Sequence, residues 1–211
     1  MLEEKLDNGI IMECIEWAYE QANTGFIGMD SAIDLAEEFR KDNETIIEAV
    51  DSIIRWQIAK AGTAGFVTGL GGIITLPLSL PANITSIAIL QLRMIAAIAH
   101  LGGYNVKDEK VKSLVFLCLA GSSAVDILKD IGIVLGKKLT IQVIKNISGK
   151  TITAINQKVG FRLFTKFGEK GLVNLGKAIP LIGGVIGGAV DSITTNTVGN
   201  IAKSIFIDIK E

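Results

Sequence analysis

Arg93 is the one permanently charged side chain in the apolar stretch Ala82–Leu101, with Ser86 seven residues before it and His100 seven after. Seven residues return to within about 20° of the same helix face, so the three form a narrow polar line on an otherwise apolar helix. A buried guanidinium needs a carboxylate, a phosphate or water, because stranding one ion of a buried pair costs about 3 to 5 kcal/mol. Asp126 and Asp191 stand among small or apolar neighbours and are the intramolecular candidates for a buried pair with Arg93. A phosphate or other ligand contact is the alternative.

The remaining residues capable of chemistry do not assemble into a reaction. His100 is the only histidine, which excludes a histidine-rich metal site, and its place at a helix end suits an interfacial residue better than a general base. Gly121, Ser122 and Ser123 do not complete a GxSxG elbow. The glycine run Gly62–Gly72 lacks the GK[ST] ending of a phosphate loop and follows a helix rather than a strand. Cys14 and Cys118 are far apart and suggest neither a disulfide framework nor a zinc spacing. No catalytic, cofactor-binding or metal-ligating residues are assigned, and a membrane-bound hydrolase ranks third among the readings.

Basic residues are concentrated instead. Residues 1–59 carry fourteen Asp or Glu against four Lys or Arg, whereas residues 60–211 carry eight against seventeen. The acidic front and basic back should attract each other. Within 137–177 nine residues are basic and one, Glu169, is acidic. Lys158, Arg162, Lys166 and Lys170 form an i, i+4 ladder, with Phe161, Phe164 and Phe167 on other faces; Lys137, Lys138 and Lys145 extend the set. Cations beside bulky apolar groups suit a helix lying in a headgroup layer, where each gains about 1 kcal/mol near an anionic surface. The competing reading is a solvated lysine face that neutralises the acidic front. Nucleic acid is not expected, because the overall charge is −1 and no reading motif is present.

Helical periodicity runs through almost the whole chain, and strand alternation is hard to find. Ile10, Cys14, Trp17 and Ala18 mark a first amphipathic helix ending near Gly25, and Ser31–Lys41 a short acidic second one. Asn43 is placed to cap a third, whose Ile46, Ile47, Val50, Ile53, Ile54 and Ile58 share a face. Asn83 can cap a helix over 84–101, and Asp108 one through Val111, Val115 and Leu119. Two basic segments, 124–147 and 150–167, follow; 178–190 and a final helix around 200–209 close the chain.

Residues 61–92 contain no charged side chain but five glycines and two prolines, which reads as a membrane-competent helical hairpin rather than a simple span. Gly65 and Gly69 are four apart, as are Gly183 with Gly187 and Gly184 with Gly188. Small residues at that spacing let helix backbones approach closely, so the two patches are expected to pack together, and they permit self-association. Hydrophobic residues make up 49% of the 211 residues and mean hydropathy is +0.45, which fits peripheral or partly inserted helices. The amino terminus lacks a secretory-signal pattern, so a reducing cytosol is expected. The fold expected is all-α, a compact helical bundle with a Gly-rich apolar hairpin and amphipathic basic helices. Acidic helices in 1–60 should pack on a domain formed by 61–211.

The stretch AGTAGFVTGLGGIITLPLSLPANITSIAILQLRMIAAIAHLGGYNVKDEKVKSLVFLCLAG, residues 61–121, resembles the EcsC family of bacterial proteins. The glycine run, the LP…LPA step, the long apolar helix, the GGY break and the short charged turn occur in the family's order. The closing stretch KAIPLIGGVIGGAVDSITTNTVGNIAKSIFID, residues 177–208, is similar to its second block. Asn83 departs from the acidic residue usual after the second Pro-Ala, keeping a capping acceptor but losing the charge. The resemblance implies a helical, membrane-associated protein of no settled activity, named for a gene neighbour of an ABC transporter linked to secretion. The expectation is a non-enzymatic protein at the cytosolic face of the cell membrane that binds anionic lipid or a membrane protein such as a transporter. An effector that inserts its hairpin and disrupts the bilayer is the alternative.

Overall fold

The computed structural model describes residues 8–25, 28–61, 82–133, 139–167 and 183–208, with backbone alone described at 8, 82–86, 166, 167 and 183–191. All nine regular elements among the described residues are α-helices: α1 Asn8–Thr24, α2 Ala32–Lys41, α3 Ile46–Ala61, α4 Ala82–Leu101, α5 Glu109–Leu119, α6 Ser123–Asp130, α7 Ile141–Asn146, α8 Gly149–Phe167 and α9 Gly183–Phe206. The protein is therefore all-α.

Local side-chain chemistry sets most of the helix starts. Ser31 and Asp34 form a capping box at α2, and the Asp108 carboxylate accepts from the amides of Lys110 and Val111 at α5. Thr45, not Asn43, caps α3: the Glu48 amide donates to Thr45 Oγ1 at 3.1 Å and the Thr45 amide to Glu48 Oε2 at 3.0 Å. Asn43 closes the previous helix instead, donating from Nδ2 to the Phe39 carbonyl at 2.7 Å. Since α4 begins at Ala82, Asn83 lies within its first turn rather than at its cap.

Two spans depart from the sequence expectation. Segment 124–147 breaks into α6 and α7, with Gly132 at φ +79 ending the first part and Thr140 accepting from the Val143 amide to start the second. Where two closing segments, 178–190 and 200–209, are expected, residues 183–206 form one helix, α9, that runs through 191–199; 178–182 and 209 lie outside the described residues. The Thr-rich middle does not break it, and Thr197 Oγ1 satisfies its donor within the helix at the Ile193 carbonyl, 3.0 Å away.

The centre of the molecule is α4. Every residue from Ala88 to Ala99 is buried, as a helix apolar on all sides requires, and α1, α2, α3, α5 and α9 pack around it. The apolar helix expected to form one arm of a membrane-competent hairpin is thus enclosed by protein. No described helix is long and apolar enough to cross a membrane. The preceding arm of the expected hairpin, 62–81 with Gly65 and Gly69, lies outside the described residues, and at Gly183, Gly184, Gly187 and Gly188 only the helical backbone is described. Further along the same two helices the approach is close: a Cβ on Gly199 of α9 would stand 2.9 Å from Ile54 Cγ1 of α3, and Ser192 Oγ donates to the Ile58 carbonyl at 3.4 Å.

One contiguous core runs from Ile11 to Ile207 and includes residues of both the acidic front and the basic back. Attraction between the two is visible in places. Lys203 pairs with Asp51 at 2.5 Å, and His100 Nε2 meets Glu37 Oε1 at 3.2 Å. The helix α8 lies against α1, α5 and α6.

The turn after α4 is as tightly packed as the core. A Cβ on Gly102 would overlap the carbonyl oxygen of Phe206, a backbone atom that cannot swing aside. Gly102→Ala is therefore expected to destabilise by about 1 to 3 kcal/mol, the usual cost of overpacking. Urea denaturation checks this, with Gly149→Ala as the control because nothing lies within 4 Å of the Cβ it would add.

Candidate functional site

Arg93 is 2% exposed, and its Nε has no hydrogen-bond partner among the described residues. It does not form the buried pair expected with Asp126, which sits exposed on α6; the Asp191 side chain lies outside the described residues. The reason is geometric. Arg93 leaves α4 on the side covered by α2 and α3, where its guanidinium carbon lies 5.8 Å from the centre of the Trp56 ring. Lys60 Nζ sits 3.6 Å from the centre of the same ring. Burial lowers the pKa of Arg93, while Asp30, Glu38 and Asp34 oppose that shift. Desolvation likewise lowers Lys60, with Arg93 adding to the effect. Sequence reading missed this cluster, although Trp56 and Lys60 are an i, i+4 pair on α3 and their spacing was legible. Its arrangement, two cations on an indole under an acidic helix, joins the acidic front to the core.

The basic ladder is only partly described. Lys137, Lys138 and Lys170 lie outside the described residues, and Lys166 is on α8 with its side chain not described. Lys145 is exposed on α7, where its carbonyl accepts from Lys110 Nζ at 2.6 Å. Lys158 pairs with Asp130 of α6 at 2.6 Å, and this hydrogen bond lowers the Asp130 pKa. Arg162 is exposed one turn further on. The described part of the ladder thus mixes a paired lysine with an arginine at the surface.

Among the described residues, the large apolar side chains that remain exposed are Ile141, Val143, Phe161 and Ile193. All four lie in the basic back of the chain. Ile193 and Arg162 line one cleft of about 350 Å³ between α8, α9 and the turn before α6, together with Ser122, Ser123 and Thr165. Phe161 adjoins Arg162 in sequence and is 55% exposed. Gly121, at φ +60, makes the turn that presents the two serines.

The other reactive groups are buried. Burial pushes the Cys14 thiol up to about 11 and the Cys118 thiol up as well, so neither is a thiolate at neutral pH. No group of three or more His, Cys, Asp or Glu suited to a metal occurs among the described residues.

Two tyrosines pin loops to the core. Tyr19 donates to the Val106 carbonyl at 2.6 Å and Tyr104 to the Leu139 carbonyl at 2.5 Å. Burial pushes each phenol up to about 12. Because the folded pKa lies above the unfolded value near 10, the unfolded chain loses these protons first. Stability is therefore expected to hold below pH 10 and to fall between about pH 10 and 12, and Tyr19→Phe should flatten that fall. Denaturation midpoints across this window check it.

These features define a helical bundle with a closed apolar centre and a basic, partly apolar surface. The EcsC protein family model matches residues 29–207. The chain belongs to the EcsC family. The match takes in α2 and α3 as well as the 61–121 and 177–208 blocks, and α1 precedes it. No curated protein and no solved structure matches the chain.

Proposed function

We propose that this protein is a non-enzymatic, membrane-surface member of its family that binds anionic lipid at the cytosolic face of the cell membrane through α8 and its neighbours. The observation that carries the reading is an exposed apolar side chain and a cation in one cleft, Ile193 with Arg162, next to a helix, α8, that also exposes Phe161. An apolar group beside a cation suits a headgroup layer, where the ring or aliphatic chain enters the acyl boundary and the charge stays at the phosphates. Enclosure of α4 by protein favours docking over insertion, because the most apolar described helix already has its surface covered.

Binding to phosphatidylcholine vesicles with and without phosphatidylglycerol, measured across a salt series, tests the reading. Binding confined to the anionic vesicles and weakening as salt shortens the Debye length is the expected result. Equal binding to both vesicles would oppose it. Release of a trapped dye would favour the bilayer-disrupting effector instead.

A further inference from the structure

We infer that the cleft between α8, α9 and the Gly121 turn is a headgroup site for a phosphomonoester lipid. This rests on the membrane-surface reading above and adds a ligand class to it. The lining offers one guanidinium, Arg162, and a set of hydroxyls, of which Ser122 and Ser123 make no side-chain hydrogen bond among the described residues. Ser122 precedes α6 but spends no side-chain bond on capping it, unlike Ser31 and Asp108 at α2 and α5. Thr165 and Thr197 also line the cleft but donate to carbonyls of their own helices, so the donors left for a ligand are Arg162 and the two serines.

The chemistry that matches such a lining is a compact oxyanion with several acceptor oxygens. A guanidinium gives a forked pair of donors and the serines give two more. None of the described residues that line the cleft is acidic; Asp126 lies in the first turn of α6 but is exposed and does not line it. A phosphomonoester carries more negative charge and more free oxygens than the diester of phosphatidylglycerol, so it uses this donor set more fully. The lipid, rather than a free phosphate, is indicated by what stands at the site. Ile193 lines the cleft and is 67% exposed. A soluble ion would leave this apolar side chain in water, whereas a lipid supplies acyl chains for it.

The test compares vesicles containing phosphatidic acid with vesicles containing phosphatidylglycerol, adjusted to equal surface charge. The expected result is at least a severalfold preference for phosphatidic acid. Ser122→Ala with Ser123→Ala, one at an exposed and one at a half-buried position, should abolish the preference while leaving phosphatidylglycerol binding unchanged. Arg162→Lys should also lose the preference, read as the ratio of phosphatidic acid to phosphatidylglycerol binding by the same variant, since lysine keeps the charge but not the fork. Equal binding of the two lipids, or a preference that survives in both variants, would overturn the inference and leave the general membrane reading standing. If no anionic vesicle is bound, the membrane reading fails, and with it the assignment to a lipid. Titration with glycerol 3-phosphate, followed by amide NMR shifts at 121–123 and 162, then reads the cleft alone. Saturable shifts there would keep a phosphomonoester site for a soluble ligand, and their absence would remove the site.

Discussion

Lys158→Glu combined with Arg162→Glu is expected to weaken partition onto phosphatidylglycerol-containing vesicles by about 4 kcal/mol, close to a thousandfold. Each cation near an anionic surface gains about 1 kcal/mol, and reversal replaces that gain with a repulsion of similar size. The fold should tolerate the change. Arg162 is exposed, and the Lys158–Asp130 pair is a surface ion pair with side chains 41% and 60% exposed, a class that adds little to stability. Co-sedimentation measures the partition, and circular dichroism confirms that helix content is retained. A loss of less than about threefold would mean that these two residues belong to the solvated, front-neutralising face instead.

Ile95→Ala is expected to destabilise the isolated protein, without lipid, by about 3 kcal/mol. Ile95 is fully buried on α4, and truncating such a side chain loses its transfer free energy and leaves a cavity that the surrounding helices fill only in part. The prediction separates the two environments an apolar helix can have. In a protein core the removed atoms are missed in aqueous denaturation. On a lipid-facing surface exposed in water, truncation to alanine would cost little and would improve solubility. Urea denaturation of the two proteins distinguishes the cases, provided the slope of the transition is unchanged.

What the sequence made legible was mostly local. Asp108 is followed directly by an apolar helical repeat, and the cap it implies is present at α5. The Thr45 and Glu48 capping box was equally readable, but Asn43 competes for the same role by type, and only the structure shows it turned back onto Phe39. The all-α fold followed from periodicity that never settles into alternation. The burial of α4 is a different matter, because 88–99 is apolar on all sides and lipid and packed protein ask for the same surface.

Long-range partnership was the least legible. Arg93 lies 37 residues after Trp56 in the chain, yet the two meet across α3 and α4. The aspartates chosen for it by their apolar sequence neighbours include Asp126, which faces solvent. A residue's sequence neighbours sit along its own helix, whereas its contacts come from the helices packed beside it. The same limit applied to the cleft. Ser122, Arg162 and Ile193 come from three separated parts of the chain, and only packing of α8 and α9 around the Gly121 turn brings them to one place. Their types had been noted, the serines as an incomplete nucleophile motif and Arg162 as a rung of a basic ladder, but their meeting had not.

The central claim is that the protein docks on anionic membrane by its basic, partly apolar surface while its most apolar described helix stays within the bundle. Flotation of the full chain with vesicles of phosphatidylcholine and phosphatidylglycerol, washed first with high salt and then with alkaline carbonate, tests it most directly. Docking predicts flotation on the anionic vesicles and release in the salt wash. Retention through both washes would put an apolar segment inside the bilayer and contradict the claim.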